Sequence, residues 1–132
     1  MPLWPVKLQI WRGENIRRIE PLEILVELDE PLTFTFRDTS GALLIAHLCS
    51  QGDDRLRYIV APTNSKIVEQ LKSGARSILA ALDQPMIWLA DVGSGAKVSE
   101  IWLASGLSAL PQRVLPASDV MLYPYLTPML QL

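Results

Sequence analysis

His47 and Cys49 carry the side chains best suited to chemistry in this sequence. They stand two residues apart, and on a strand that spacing projects both from one face. A cysteine beside a histidine offers a nucleophile and its base. The pair could also supply two ligands to a metal, but zinc would need a third and fourth from carboxylates or a partner chain. The surrounding residues argue for a plainer role. Residues 42–49 are apolar on both parities, and Leu43 and Ile45 share the face of His47 and Cys49. A histidine there is commonly a hydrogen-bonded core residue, and a free cysteine behaves as a small hydrophobe. The expectation is therefore structural: a buried, slowly reacting thiol.

Asp38-Thr39-Ser40-Gly41 follows an apolar strand and resembles the Asp-Thr/Ser-Gly loop of aspartic proteases, whose paired carboxylates share a proton. An extra residue precedes the glycine, and Arg37 stands where that family has an apolar residue. A homodimer would have to bring the second Asp. A hairpin turn calls for the same four residue types. Gly93-Ser94-Gly95-Ala96-Lys97 has glycines and a lysine, but its spacing is not that of a phosphate loop, and strand-like residues follow where a helix is needed. Asp53-Asp54, Asp29-Glu30 and the pair Glu23 and Glu27 read as solvated surface.

Aromatic residues carry the interaction signal. Trp88 and Trp102 fall in apolar runs and read as core. Trp4 and Trp11 lie near the N-terminus, with Trp11 on the polar parity of its strand. Residues 120–132 include Tyr123, Tyr125, Leu126, Met129 and Leu130, and no charged side chain follows Asp119. Tryptophan and tyrosine are enriched where proteins bind one another. Trp4, Trp11 and these tail residues form the candidate interaction surface.

The elements that must position these residues follow from periodicity. Val6, Leu8 and Ile10 alternate with Lys7, Gln9 and Trp11, as in a half-buried strand. Leu22, Ile24, Val26 and Leu28 share one parity, with Glu23 and Glu27 on the other; Leu32, Phe34 and Phe36 alternate with Thr33, Thr35 and Arg37. The run at 42–49 reads as a central strand covered on both faces, and Leu56, Tyr58 and Val60 alternate in a further strand. The stretch 22–61 is thus an antiparallel meander, for which an SH3-like small barrel is an alternative. Candidate caps at Thr63, Asn64 and Ser65 open a helix at about 64–72, and apolar residues at Ala75, Ile78, Leu79 and Leu82 mark a second at about 75–83. Two apolar runs flanking Gly93-Ser94-Gly95-Ala96 predict a hairpin over 86–103. The fold class is α+β: a mostly antiparallel sheet with two short helices on one face.

The meander, Leu71-Lys72-Ser73-Gly74 leading into Ser77-Ile78-Leu79, and the Trp-bearing strand that follows resemble small bacterial α+β proteins of unknown function over residues 22–92. That resemblance implies no activity.

A chain of 132 residues fits a single domain, with a proline-rich apolar tail from about 107. The net charge of −2 and the lack of a basic stripe speak against nucleic acid. Lys7, Arg12, Arg17 and Arg18 are offset by Glu14 and Glu20. One cysteine excludes an internal disulfide and suggests a reducing, cytoplasmic setting. No apolar run reaches the length of a membrane span. No cofactor is implied. The reading that remains is a non-enzymatic interaction or assembly module, binding a protein partner or a second copy as a homodimer. A small-ligand sensor with a pocket between sheet and helices, and a hydrolase-type enzyme using His47, Cys49 or Asp38, are the alternatives.

Overall fold

A computed structural model describes residues 8–11, 13, 15–27, 31–52 and 54–116. Seven strands form one antiparallel sheet: β1 (Gln9–Ile10), β2 (Glu23–Glu27), β3 (Pro31–Arg37), β4 (Leu43–Gln51), β5 (Leu56–Pro62), β6 (Ile87–Val92) and β7 (Val98–Ala104). Their order is β1-β7-β6-β5-β4-β3-β2, so β2 to β7 make a continuous meander, and β1 adds a two-residue edge to β7. The predicted meander and hairpin are both present. Because β5 pairs with β6, the two join in one open sheet and the barrel alternative falls away.

Two helices interrupt the meander between β5 and β6: α1 (Ser65–Ser73) and α2 (Ile78–Leu82). Asn64 caps α1 by accepting the Ile67 N–H at 2.9 Å. Gly74 ends the helix at φ +82°, a left-handed turn that glycine adopts without strain, and its N–H returns to the carbonyls of Gln70 and Leu71. The second helix is shorter than its apolar spacing predicts. Ser77 accepts the Ala80 N–H at 3.1 Å and starts α2 at Ile78, so Ala75 stays outside it, exposed. A cap three residues into the pattern overrides the periodicity.

The helices cover one face of the sheet. Val68, Leu71, Ile78, Ala81 and Leu82 pack on Ile45, Ile59, Ala61, Ile87 and Leu89. Two 3₁₀ turns, Leu107–Ala109 and Gln112–Val114, continue this layer; Leu110 is buried in it, and Leu107, Val114 and Leu115 pack against it. The start of the proline-rich tail is thus part of the core. Its remainder lies outside the described residues.

The opposite face carries Phe34, Phe36, Tyr58, Val60, Trp88 and Ile101, and the segment leading from β1 to β2 crosses it. Ile16 and Ile19 are buried there. Backbone bonds pin this strap at both ends of its path: Trp11 N–H to the Ile101 carbonyl, Ile19 N–H to Ala96, and Leu22 N–H to Thr35. Among the described residues no helix is long and apolar enough to cross a membrane.

Strand β2 departs from its simple alternation. Register shifts flank Val26 in its pairing with β3, and such bulges turn neighbouring side chains to the same face. Leu25 and Val26 are both buried on the helix side, whereas Leu22 and Ile24, of the same parity as Val26, are 59% and 44% exposed. Leu8, just before β1, packs on the helix-side core, while Ile10 of β1 is exposed.

Candidate functional site

The residues able to do chemistry gather on the helix-side face of the sheet. Alternation along β4 places His47 and Cys49 beside Leu43 and Ile45, as the sequence implies. Cross-strand register then brings Thr33 next to His47, and Arg57 next to Asp91. Trp102 of β7 completes the row.

His47 Nδ1 shares a 2.8 Å hydrogen bond with the hydroxyl of the buried Thr33. Burial pushes the imidazole down from its ordinary 6.5 to about 4, so it is neutral at physiological pH. Cys49 is partly buried in the same layer. Burial pushes its thiol up to about 12; the Arg57 charge opposes that rise and the Asp91 charge adds to it. A protonated thiol is a poor nucleophile and a poor ligand. The two residues share a face, but their surroundings suppress the reactivity that makes such a pair useful.

Arg57 and Asp91 form the strongest polar contact of the face. Sequence reading passes over both, although a lone carboxylate inside the apolar run 86–92 was a legible signal. Arg57 is 5% and Asp91 2% exposed. Arg57 Nε donates to Asp91 Oδ1 at 2.6 Å, and Nη2 donates to Oδ2 at 2.9 Å. Arg55 Nη1 adds a third bond to Oδ2 at 2.9 Å. The guanidinium lies 5.3 Å from the centroid of the Trp102 ring, within cation–π range. The hydrogen bond to Asp91 is the main cause that pushes the Arg57 guanidinium up. A carboxylate accepting three charge-assisted bonds is committed to structure rather than to proton transfer.

Asp38 is committed in another way. Its Oδ1 accepts from the Ser40 N–H at 2.9 Å, the Ser40 hydroxyl at 2.7 Å and the Ala42 N–H at 2.9 Å. Its Oδ2 accepts from Asn15 at 3.1 Å, which ties the turn to the strap. Burial pushes this carboxyl up, but the bonds from Ser40, Asn15 and Ala42 together hold it below its ordinary value. This is the chemistry of an Asp-led turn. The loop at 93–97 closes the β6–β7 hairpin through the Gly93 N–H and the Lys97 carbonyl, and strand β7 follows it. Among the described residues no three His, Cys, Asp or Glu side chains converge to hold a metal ion.

The layer between helices and sheet is filled by fully buried Ile45, Ile59, Leu71, Ile78 and Leu82. A groove of about 630 Å³ runs along the outside of α2, lined by Leu79, Ala80, Leu107, Leu110 and Leu115 among others. Of the candidate interaction residues, Trp11 is half-buried. Its ring meets Trp88 edge-on at 6.0 Å, and its N–H reaches Asn15 at 3.3 Å. Trp4, Tyr123, Tyr125, Leu126, Met129 and Leu130 lie outside the described residues. Among the described residues the exposed large apolar side chains are Ile10, Leu22, Ile24 and Met86. Two of them, Leu22 and Ile24, sit together at the β2 edge, a feature that strand parity concealed.

The class these observations define is an α+β domain: an antiparallel meander with helices on one face and a strap across the other. No family model, curated protein or solved structure matches the chain.

Proposed function

We propose that this chain is a non-enzymatic interaction module that binds protein through the edge of its sheet. The observation that carries this reading is Ile24, 44% exposed on the edge strand β2, with Leu22, 59% exposed, immediately before that strand. An edge strand presents backbone donors and acceptors, and an added strand can satisfy them while its side chains bury apolar neighbours. The candidate chemical groups support the same reading: burial keeps His47 neutral and Cys49 protonated, and hydrogen bonds hold Asp38 in its turn and Asp91 on Arg57.

Selection from a random peptide-display library tests it. Peptides enriched on the full chain should lose binding to a Leu22→Lys/Ile24→Lys variant. Enrichment that survives the double substitution, or none at all, would overturn the reading.

A homodimer is a second form of the same function. It is favoured by the uncharged apolar sequence after Asp119, since large exposed apolar patches mark interfaces. Light scattering on the full chain and on a chain ended at Pro116 tests it. A dimeric full chain beside a monomeric or aggregating truncation is the expected result.

A further inference from the structure

The two edges of the sheet differ. The outer side of β7 is met at several points by the chain that precedes β2. The Ile19 N–H donates to the Ala96 carbonyl and the Val98 N–H to the Arg17 carbonyl, both at 2.9 Å. Further along, the Trp11 N–H reaches the Ile101 carbonyl, and β1 pairs Gln9 with Leu103 and Ile10 with Trp102. Continued by one residue, that register sets Leu8 beside Ala104, where β7 ends. A groove of about 470 Å³ lies at this point, lined by Leu8, Pro85, Met86, Leu103, Ala104 and Ala109, with Ser105 as its polar member. Among the described residues no charged side chain lines it. Met86 is 43% exposed on its wall, and Ala109 is exposed as well.

We infer that this groove is the seat of the chain's own N-terminal segment, with Trp4 as the side chain that fills it. Residues 1–7 lie outside the described residues, yet the backbone joins them to the groove wall at Leu8. The two-residue period of an extended chain puts Val6 and Trp4 on the side of Leu8. Four extended residues span at most about 14 Å, so Trp4 stays within reach of the groove. The register sets Pro5 opposite Leu107, beyond the end of β7, so its missing N–H costs no ladder bond. The chemistry agrees. An indole is a large apolar body that a groove of this size admits. The Met86 thioether makes favourable contacts with aromatic rings. A foreign segment or a second copy would compete with a segment that its tether holds at about millimolar effective concentration. Seated there, the segment completes the cover of the β7 edge and leaves β2 as the edge to which a partner strand adds.

The inference goes beyond the interaction reading and shares no residue with it. Fluorine NMR of the full chain, labelled with 5-fluorotryptophan, tests it. The four tryptophans give four resonances, and Trp4→Phe assigns one of them. In the folded chain the Trp4 resonance should lie away from its position in urea. Met86→Lys, which sets a charge on the groove wall at an exposed position, should return it to that position. If circular dichroism shows Met86→Lys to be unfolded, Ala109→Glu takes its place. Trp4→Ala should lower Tm by about 5–10 °C. A Trp4 resonance at its unfolded position in the native chain would overturn the inference. So would an unchanged Tm for Trp4→Ala, or a native shift that survives the groove substitution, since Trp4 would then pack elsewhere. A shift that appears only as protein concentration rises would give the groove to Trp4 of a second copy and likewise overturn it. Each of these results leaves the edge reading standing, and failure of the peptide selection at β2 leaves this inference standing.

Discussion

Replacing Asp91 with Asn tests whether the polar row on the helix-side face is a structural lock. The substitution keeps the shape of the side chain but turns one acceptor oxygen into a donor. If the amide nitrogen takes the Oδ1 position, the bond from Arg57 Nε is lost; if it takes Oδ2, the bonds from Arg57 Nη2 and Arg55 are lost. The first arrangement sacrifices less. A charge-assisted bond of this kind contributes about 1.5–3 kcal/mol. The Arg57 charge then stays 5% exposed without the Asp91 carboxylate, and breaking a buried pair from one side costs about 3–5 kcal/mol in total. Arg55 adds little, because its side chain is 49% exposed and water can replace the carboxylate. A loss of about 3 kcal/mol is a large part of the ~5–15 kcal/mol that holds a domain folded. It corresponds to a fall in Tm of about 10 °C. Urea unfolding followed by tryptophan fluorescence measures it directly. The double variant Arg57→Met/Asp91→Leu should recover most of the loss, since a buried pair exchanged for apolar residues of similar volume is often neutral or better. A loss below about 1 kcal/mol for Asp91→Asn, or a double variant no more stable than the single one, would refute the reasoning.

The chain has a single histidine, so its imidazole titration by NMR is unambiguous; the midpoint should lie near 4 rather than 6.5. Because the folded value lies below the unfolded one, the unfolded chain takes up the proton first, and His47 disfavours folding progressively as pH falls from about 6.5 toward 4. A His47→Gln variant should flatten that part of the stability–pH curve, and identical slopes would contradict the burial argument. Cys49, the only thiol, should react with a disulfide reagent at pH 8 far more slowly in the folded protein than in urea; equal rates would show an accessible thiolate. Among the described residues the buried Thr63 hydroxyl has no hydrogen-bond partner, so Thr63→Val should stabilise the fold by about 1 kcal/mol in the same urea assay. A destabilised variant would mean that the hydroxyl is satisfied.

Strands β3 and β4 were legible because their side chains keep the two-residue period or fill both faces. Helix α1 was legible because Asn64 and Gly74 mark its ends chemically. What escaped has physical causes. Nothing local announces the bulge in β2, yet it decides that Val26 is core while Ile24 is surface. Ile16 and Ile19 are buried by a strap with no regular period, so periodicity could not find them. Arg57 and Asp91 stand 34 residues apart and meet only because β5 and β6 are neighbours. His47 and Cys49 were singled out by type, and their shared face was readable. Their neutral, protonated state depends on burial, which only the assembled sheet supplies.

The central claim is that binding occurs at the β2 edge and not in the interior. Amide chemical-shift mapping of the isotopically labelled chain, titrated with a peptide enriched on it from the random display library, tests it residue by residue. The account predicts saturable shifts concentrated at 20–27 and at their β3 partners Phe34 and Thr35. Shifts centred on His47, Cys49 and Arg57, or on the groove beside α2, would contradict it.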